Sequence, residues 1–175
     1  TGFHTLSAAA LVCAVLAAAG LAFGQAAPAG AQAWFTLTPL GAGLAVLVQF
    51  LGIVIGRFSA RYLQGEPAQR RYVTSLAGVL AAVHLLLLAN HWLVLIAAWA
   101  LVGVALQPLL CFYPDRPFAL LAAHKKRLTD RLADAMLAAA AELAWWSVGS
   151  GSFTDLAAHL AREGASPALQ ASAVL

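Results

Sequence analysis

An uncharged apolar run from Trp92 to Phe112 constrains the fold of this chain more than any other feature. A helix needs about 20 predominantly apolar residues to cross the hydrocarbon core of a bilayer, and this run has that length. Only 10% of the 175 residues are charged. A soluble domain carries roughly 25%, so the charges here are too few to cover a water-facing surface. We therefore predict an all-α, polytopic transmembrane helix bundle.

The apolar pattern predicts five membrane spans within a single transmembrane domain that covers residues 1–175. A short interfacial helix and the start of a sixth span follow them. The five predicted spans lie at about Leu6–Phe23, Leu40–Tyr62, Tyr72–Leu88, Trp92–Phe112 and Pro117–Val148. The interfacial helix is predicted over about Asp155–Arg162, where the apolar residues suit a membrane surface. The sixth span is predicted to begin at Ser166-Pro167.

The basic residues of the chain predict its orientation in the membrane. They cluster after the second and fourth predicted spans, whereas the 24–38 loop has no Lys or Arg. The positive-inside rule then predicts that both basic loops and the N-terminus are cytoplasmic. We expect no nucleic-acid partner, because the aromatic residues lie within apolar runs and do not alternate with basic residues. The basic residues concerned are Arg57, Arg61, Arg70, Arg71, Arg116, Lys125, Lys126, Arg127 and Arg131.

The fifth predicted span opens with a series of charges. Lys126, Asp130 and Asp134 follow one another at i, i+4 and i+8, so they share one helix face. A carboxylate at membrane depth costs about 2.5–3.5 kcal/mol, so it normally faces a partner or a hydrated path. For Arg131 and Asp134 we favour a buried polar role. For Lys126, Arg127 and Asp130 a helix start solvated by cytoplasmic water is an equal alternative.

His84 and Glu142 are further candidates within apolar segments. Glu142 lies eleven residues after Arg131, which is nearly the same direction on a helix; alternatively it lies near the far interface. An unperturbed imidazole changes charge near neutral pH, which suits a proton relay at His84. The alternative is a neutral His84 hydrogen-bonded to a neighbouring helix. Gln107 precedes Pro108, a pair more typical of a kinked helix than of a site.

The cysteines and histidines do not indicate a metal site in this chain. Cys13 and Cys111 lie in apolar surroundings, without a CxxC motif or a histidine at ligand spacing. We predict that both are small buried residues.

Several short motifs occur in an order that resembles a known superfamily. FSARYLQGE begins at Phe58, and RRYVTSL, LLLAN, WALVG and AAHKKRLTDRLAD follow it. This series, over about Phe58–Leu156, resembles the antiporter-like membrane subunits of respiratory complex I (subunit-5 type) and of sodium–proton antiporter complexes. The HKK and WALVG sequences are most similar to the membrane subunit of DAB-type inorganic-carbon uptake complexes.

The resemblance implies a proton-conducting subunit that is not itself an enzyme. It would sit in a bacterial inner membrane and energise the accumulation of CO2 or bicarbonate by a soluble, β-carbonic-anhydrase-like partner. Zinc is expected in that partner, and no cofactor in this chain. The alternatives are a complex I or sodium–proton antiporter-type subunit, or a non-conducting membrane scaffold. We expect the N-terminal part of a longer subunit, because the only methionine is Met136.

The resemblance transfers to individual positions with one departure. Complex I relatives carry a proton-transferring Glu where this chain has Ala100, whereas Lys125, Arg131 and Asp134 match residues that the relatives share. The predicted proton pathway comprises His84, Lys125, Arg131, Asp134 and Glu142. The residues predicted to dock a cytoplasmic partner are Arg70, Arg71, His124, Lys126 and Arg127.

Overall fold

The structure is a computed structural model that describes residues 2–22, 34–113 and 117–174. Within these ranges the chain forms helices joined by short links, which confirms the predicted all-α class. The helices are α1 (Gly2–Ala22), α2 (Pro39–Tyr62), α3 (Gln69–Leu88), α4 (Trp92–Leu110), α5 (Pro117–Val148), α6 (Phe153–Glu163) and α7 (Pro167–Val174).

Three helices of the described part, α2, α3 and α4, are long and apolar enough to cross a membrane. Large apolar side chains stand on their outer surfaces: Leu40 is 74% exposed and Val104 is 69% exposed. Exposed apolar surface of this extent fits a lipid environment. The multi-pass class is therefore supported. The helices α1 and α5 form where spans were predicted, but the count of five spans stays a prediction.

Most predicted helix ends lie within two residues of the observed ones. The exceptions are two helix starts: α1 begins at Gly2 and not at Leu6, and α3 begins at Gln69 and not at Tyr72. The early start of α3 has a visible cause. Its first turn includes the basic residues that follow Pro67, and the Gln69 side-chain amide donates a hydrogen bond to the Ala60 carbonyl oxygen. The predicted end of the first span at Phe23, most of the predicted 24–38 loop and Arg116 lie outside the described residues.

Polar side chains join α1 to α2 in an otherwise apolar contact. Gln49 is only 3% exposed. Its Nε2 donates hydrogen bonds to the Ser7 carbonyl oxygen and to Ser7 Oγ at 3.0 and 2.8 Å. Among the described helices α1 packs mainly on α2, so its other side faces outward. Cys13 lies on that outer side and is exposed, so the prediction that it is buried was wrong.

Glycine allows α2 and α3 to pack closely. A Cβ atom added at Gly52 would lie 2.6 Å from Leu80 Cδ1, and one added at Gly41 would lie 3.1 Å from the Leu87 carbonyl oxygen. Small residues at helix contacts of this kind are typical of membrane helix bundles, where backbones approach closely to gain van der Waals contact.

At one end of the bundle, backbone hydrogen bonds join three connecting segments. Asn90 N donates to the Trp34 carbonyl oxygen at 2.9 Å, and Trp92 N donates to the Gly151 carbonyl oxygen at 2.9 Å. These bonds bring the segment before α2, the α3–α4 link and the α5–α6 link to the same end.

The basic segments meet at the other end. Tyr72, next to Arg71 at the start of α3, contacts Phe112 just beyond α4, with ring centroids 5.5 Å apart. The basic start of α3 and the end of α4 therefore lie at one end of the bundle, as the alternation of predicted spans requires.

Candidate functional site

A groove of about 530 Å³ runs between α4 and α5. One wall is formed by eight uncharged residues of α4 and the other by five charged residues of α5. The α4 wall comprises Trp99, Ala100, Val102, Gly103, Val104, Leu106, Gln107 and Pro108, and the α5 wall comprises Lys126, Arg127, Asp130, Arg131 and Asp134.

The α5 wall holds three cations and two carboxylates. Lys126 and Asp130 form an ion pair, with side chains 25% and 37% exposed. Arg131 Nη1 lies 3.9 Å from Asp134 Oδ2, and the Arg131 side chain is 70% exposed, so this second pair is looser. Arg127 has no ion-pair partner among the residues that the structure describes. The wall therefore keeps a net positive charge.

The α4 wall leaves room for these charges. Ala100, Gly103 and Gln107 follow at i, i+3 and i+7, so they share one helix face. A Cβ atom added at Gly103 would lie 3.5 Å from Asp130 Oδ2, which shows that this carboxylate packs directly against α4. Because α4 and α5 run in opposite directions, Ala100 lies about level with Asp134.

Pro108 adds an acceptor to the same groove. Proline has no N–H, so the Val104 carbonyl oxygen one turn earlier receives no helical hydrogen bond from it. The neighbouring Gln107 Nε2 donates to Cys111 Sγ at 3.7 Å. The groove thus combines charged side chains with a backbone carbonyl that can bind water.

The groove unites residues from both predicted sets. Arg131 and Asp134 were predicted for the proton pathway, whereas Lys126 and Arg127 were predicted to dock a partner. Both assignments stay predictions. The structure adds that Lys126 is half-buried and ion-paired, while Arg127 is exposed.

Three residues predicted for the proton pathway lie outside the groove. Lys125 is exposed on α5. Glu142 is exposed two helical turns beyond Asp134 and has no ion pair among the described residues. His84 is half-buried on α3, which does not line the groove.

The imidazole of His84 is held by its own helix. Its Nδ1 lies 2.7 Å from the Leu80 carbonyl oxygen. Because a carbonyl only accepts, this geometry requires the hydrogen on Nδ1. The Nε2 atom is buried and has no hydrogen-bond partner in the described part of the chain. The Nε2 atom of His84 is therefore a buried polar atom within an apolar segment of α3. Among the described residues, no group lies within hydrogen-bond distance to exchange a proton with it.

Three residues predicted to dock a partner are exposed. Arg70 and Arg71 stand in the first turn of α3, at the basic end of the bundle, and His124 stands near the start of α5. Within the described ranges no three His, Cys, Asp or Glu side chains lie close enough together to hold a metal ion.

Sequence reasoning missed the opposing wall of the groove and undervalued Asp130. For Asp130 a solvated helix start was an equal alternative to a buried polar role, and in the structure its carboxylate contacts α4 at Gly103. The sequence did contain a signal for this wall: Ala100, Gly103 and Gln107 are small or polar residues on one face of an apolar helix. The sequence does not show which helix packs against that face, because this depends on tertiary packing.

The spacing of the charges gives the groove its chemical capacity. Lys126, Asp130 and Asp134 follow at four-residue intervals, so successive side chains rise by about 6 Å along α5. Ionised groups are tolerated at membrane depth where they meet each other or water. A series of such groups facing one cavity can hold water and pass protons between neighbours.

Relatives of the chain include subunits of inorganic carbon transporters and of an NADH-quinone oxidoreductase. The chain is 38% identical over 117 residues to the probable inorganic carbon transporter subunit DabB2 of Halothiobacillus neapolitanus, covering 67% of this chain and 21% of that protein. It is 33% identical over 124 residues to the probable inorganic carbon transporter subunit DabB of Hydrogenovibrio crunogenus, covering 70% and 24%. It is 31% identical over 111 residues to NADH-quinone oxidoreductase subunit L of Mycobacterium tuberculosis, covering 63% and 18%.

These matches confirm the resemblance drawn from the motifs. The chain spans about a fifth of the length of the curated relatives it matches. No family model matches it. The homology to DabB and to complex I subunit L, together with the apolar helices α2–α4, matches the antiporter-like membrane subunits that the motifs resemble.

Proposed function

We propose that this chain is part of a proton-conducting membrane subunit that energises inorganic-carbon accumulation. Protons would pass along the α4–α5 groove, and their flow would drive a soluble, zinc-containing partner resembling a β-carbonic anhydrase. The partner would hydrate CO2 and leave bicarbonate in the cytoplasm of the bacterium. Catalysis would belong to the partner, and this chain would supply the energy coupling.

The single observation that carries this proposal is the concentration of five charged side chains of α5 on one wall of a groove beside the apolar helix α4. Charges at such a position are costly in lipid, which favours a hydrated path over a purely structural role. The homology to inorganic carbon transporter subunits supports carbon uptake as the process that the proton flow serves.

The exposed basic residues supply a surface for the partner. Arg70 and Arg71 lie at the basic end of the bundle, which the positive-inside rule assigns to the cytoplasm. His124 and Arg127 extend the exposed basic surface along α5. An acidic surface on the partner would complement these side chains.

A non-conducting scaffold is the second candidate function, and Ala100 favours it. The groove has no carboxylate on α4, and Arg131 is largely exposed. In that case the charged start of α5 would serve only to dock a soluble protein. A complex I-type subunit is a third candidate, supported by the match to subunit L.

Proton flux and carbon uptake in variants that still assemble distinguish these functions. We expect Asp134→Asn to lower the proton flux of the reconstituted complex by about tenfold or more, a barrier increase of about 1.4 kcal/mol. His84→Ala tests the second predicted relay residue in the same assay. Glu66→Gln is the matched control, because Glu66 is an exposed carboxylate in the α2–α3 link.

Each candidate has its own outcome in these assays. Unchanged flux in both variants would remove Asp134 and His84 from the path. A wild-type complex that takes up carbon without passing protons would favour the scaffold. Purification with quinone-linked membrane subunits, and without a zinc protein, would favour the complex I type.

A further inference from the structure

We propose that Lys126 and Asp130 form the pair that carries the transferred proton in the groove, in place of a carboxylate on α4. This assignment rests on the proposed proton conduction and names the residues that perform it. It gives a role in the path to Asp130, and it moves Lys126 from the partner-docking surface into the proton path.

The position of the pair is the first argument. Lys126 and Asp130 are one helical turn apart, form an ion pair and both line the groove. Their side chains are 25% and 37% exposed, so the pair is partly withdrawn from bulk solvent while one side still faces the cavity. Asp130 Oδ2 also reaches across to α4, 3.5 Å from the position of a Cβ atom at Gly103.

The chemistry of the two cations is the second argument. A guanidinium stays protonated in proteins, so the Arg131–Asp134 pair cannot become neutral by an internal proton transfer. A lysine ammonium can lose its proton when it is withdrawn from water. Of the two ion pairs that the groove holds among the described residues, Lys126–Asp130 is therefore the one whose cation has a proton to transfer.

The transfer balances without any further reactant. Asp130 takes a proton from water on the Asp134 side of the groove, and Lys126 releases its proton to water at the basic end of α5, which leaves a neutral acid and a neutral amine. The proton then passes from the Asp130 acid to the Lys126 amine, which breaks an O–H bond and forms an N–H bond. One proton has moved along the groove, and the ion pair is restored.

The opposing wall explains why a carboxylate on α5 can serve here. The eight α4 residues that line the groove are uncharged, and the space beside Asp130 is left open by Gly103. Ala100 lies one turn from Gly103 on the same face. A carboxylate introduced at Ala100 would therefore enter the same cavity from the other wall.

The decisive variant is Lys126→Arg in the reconstituted complex. Arginine keeps the charge and the ion pair to Asp130 but cannot give up its proton. We expect assembly and thermal stability to match the wild type, while proton flux falls by roughly 100-fold, the low end of what a positioned proton donor contributes. A purely structural ion pair would be rescued by arginine, so wild-type flux in Lys126→Arg would overturn the assignment.

Replacements at Asp130 provide the second arm. Asp130→Asn should lose flux to the same extent, and Asp130→Glu should retain more of it, because a protonatable group remains. Adding Ala100→Glu to Asp130→Asn should restore part of the flux from the opposite wall. Full flux in Asp130→Asn would overturn the assignment. If Asp130→Asn fails to assemble, Lys126→Arg still decides the question.

The outcomes separate this assignment from the function on which it rests. A conducting wild type with a conducting Lys126→Arg contradicts the assignment alone, and proton conduction through other groove residues survives. A wild-type complex that passes no protons contradicts both.

Discussion

His91 makes contacts that join several segments at the end of the bundle opposite the basic residues. It is 9% exposed, and its Nδ1 accepts a hydrogen bond from Leu93 N at the start of α4. Its ring stacks on Trp34 at 4.3 Å and meets the edge of Trp145 at 5.5 Å. One side chain thus contacts three segments of the chain, and it holds α4 and α5 in a fixed relation at this end of the groove.

Gly151 is the residue that leaves space for this ring. A Cβ atom there would lie 2.6 Å from His91 Nε2 and 2.7 Å from Trp145 Cζ3. We expect Gly151→Ala to lower the free energy of unfolding by about 1–3 kcal/mol, the usual cost of overpacking. Gly43→Ala is the control, because nothing lies within 4 Å of its added Cβ atom. Thermal unfolding in detergent measures the stability of both variants. Equal stability would show that the His91 and Trp145 rings can move aside without a measurable loss of stability.

At the scale of elements, α5 performs two tasks along its length. Its first half carries the charged wall of the groove, and its second half is mostly apolar and includes the buried residues Ala140, Ala141 and Ala144. Of the helices described, α7 packs on α5, and α6 follows it through the short 149–152 link. The groove therefore depends on how closely α4 approaches the charged half of α5.

Gly103 controls that approach at the level of Asp130. Its added Cβ atom would make an ordinary 3.5 Å contact with Asp130 Oδ2. We expect Gly103→Leu to fill the groove and lower proton flux by about tenfold or more, a barrier increase of about 1.4 kcal/mol. Gly103→Ala should lower it less. Gly43→Leu controls for added bulk on an open helix face. Equal flux in Gly103→Leu and wild type would mean that protons avoid this part of the groove.

At the scale of the whole molecule, local signals in the sequence located the helices better than they located the site. The bounds of α5 were predicted correctly because both ends are marked: Pro117 begins it, and Gly149, with φ of 73°, ends it. The start of α3 was placed too late, because Arg70 and Arg71 belong to its first helical turn and not to the preceding loop. Polar residues at a helix end do not contribute to the apolar periodicity, so the pattern gives no signal that they belong to the helix.

The groove could be predicted only in half. The charges of α5 are visible as a spacing pattern, and Arg131 and Asp134 were placed together from it. The other wall consists of Ala100, Gly103 and uncharged neighbours. These residues matter because their small or uncharged side chains leave space for the groove. Such a wall is defined by the register of two antiparallel helices, which no local pattern specifies.

Reaction of introduced cysteines with a charged thiol reagent tests most directly whether the α4–α5 groove is a hydrated proton path through a membrane. Cys13 and Cys111 are first replaced by serine. Ala100→Cys, in the groove, is then compared with Leu101→Cys, whose position on α4 is 50% exposed outside it. We predict that the reagent modifies Ala100→Cys alone and abolishes proton flux. Equal modification at both positions would contradict the membrane location of α4, and modified Ala100→Cys with unchanged flux would contradict conduction through the groove.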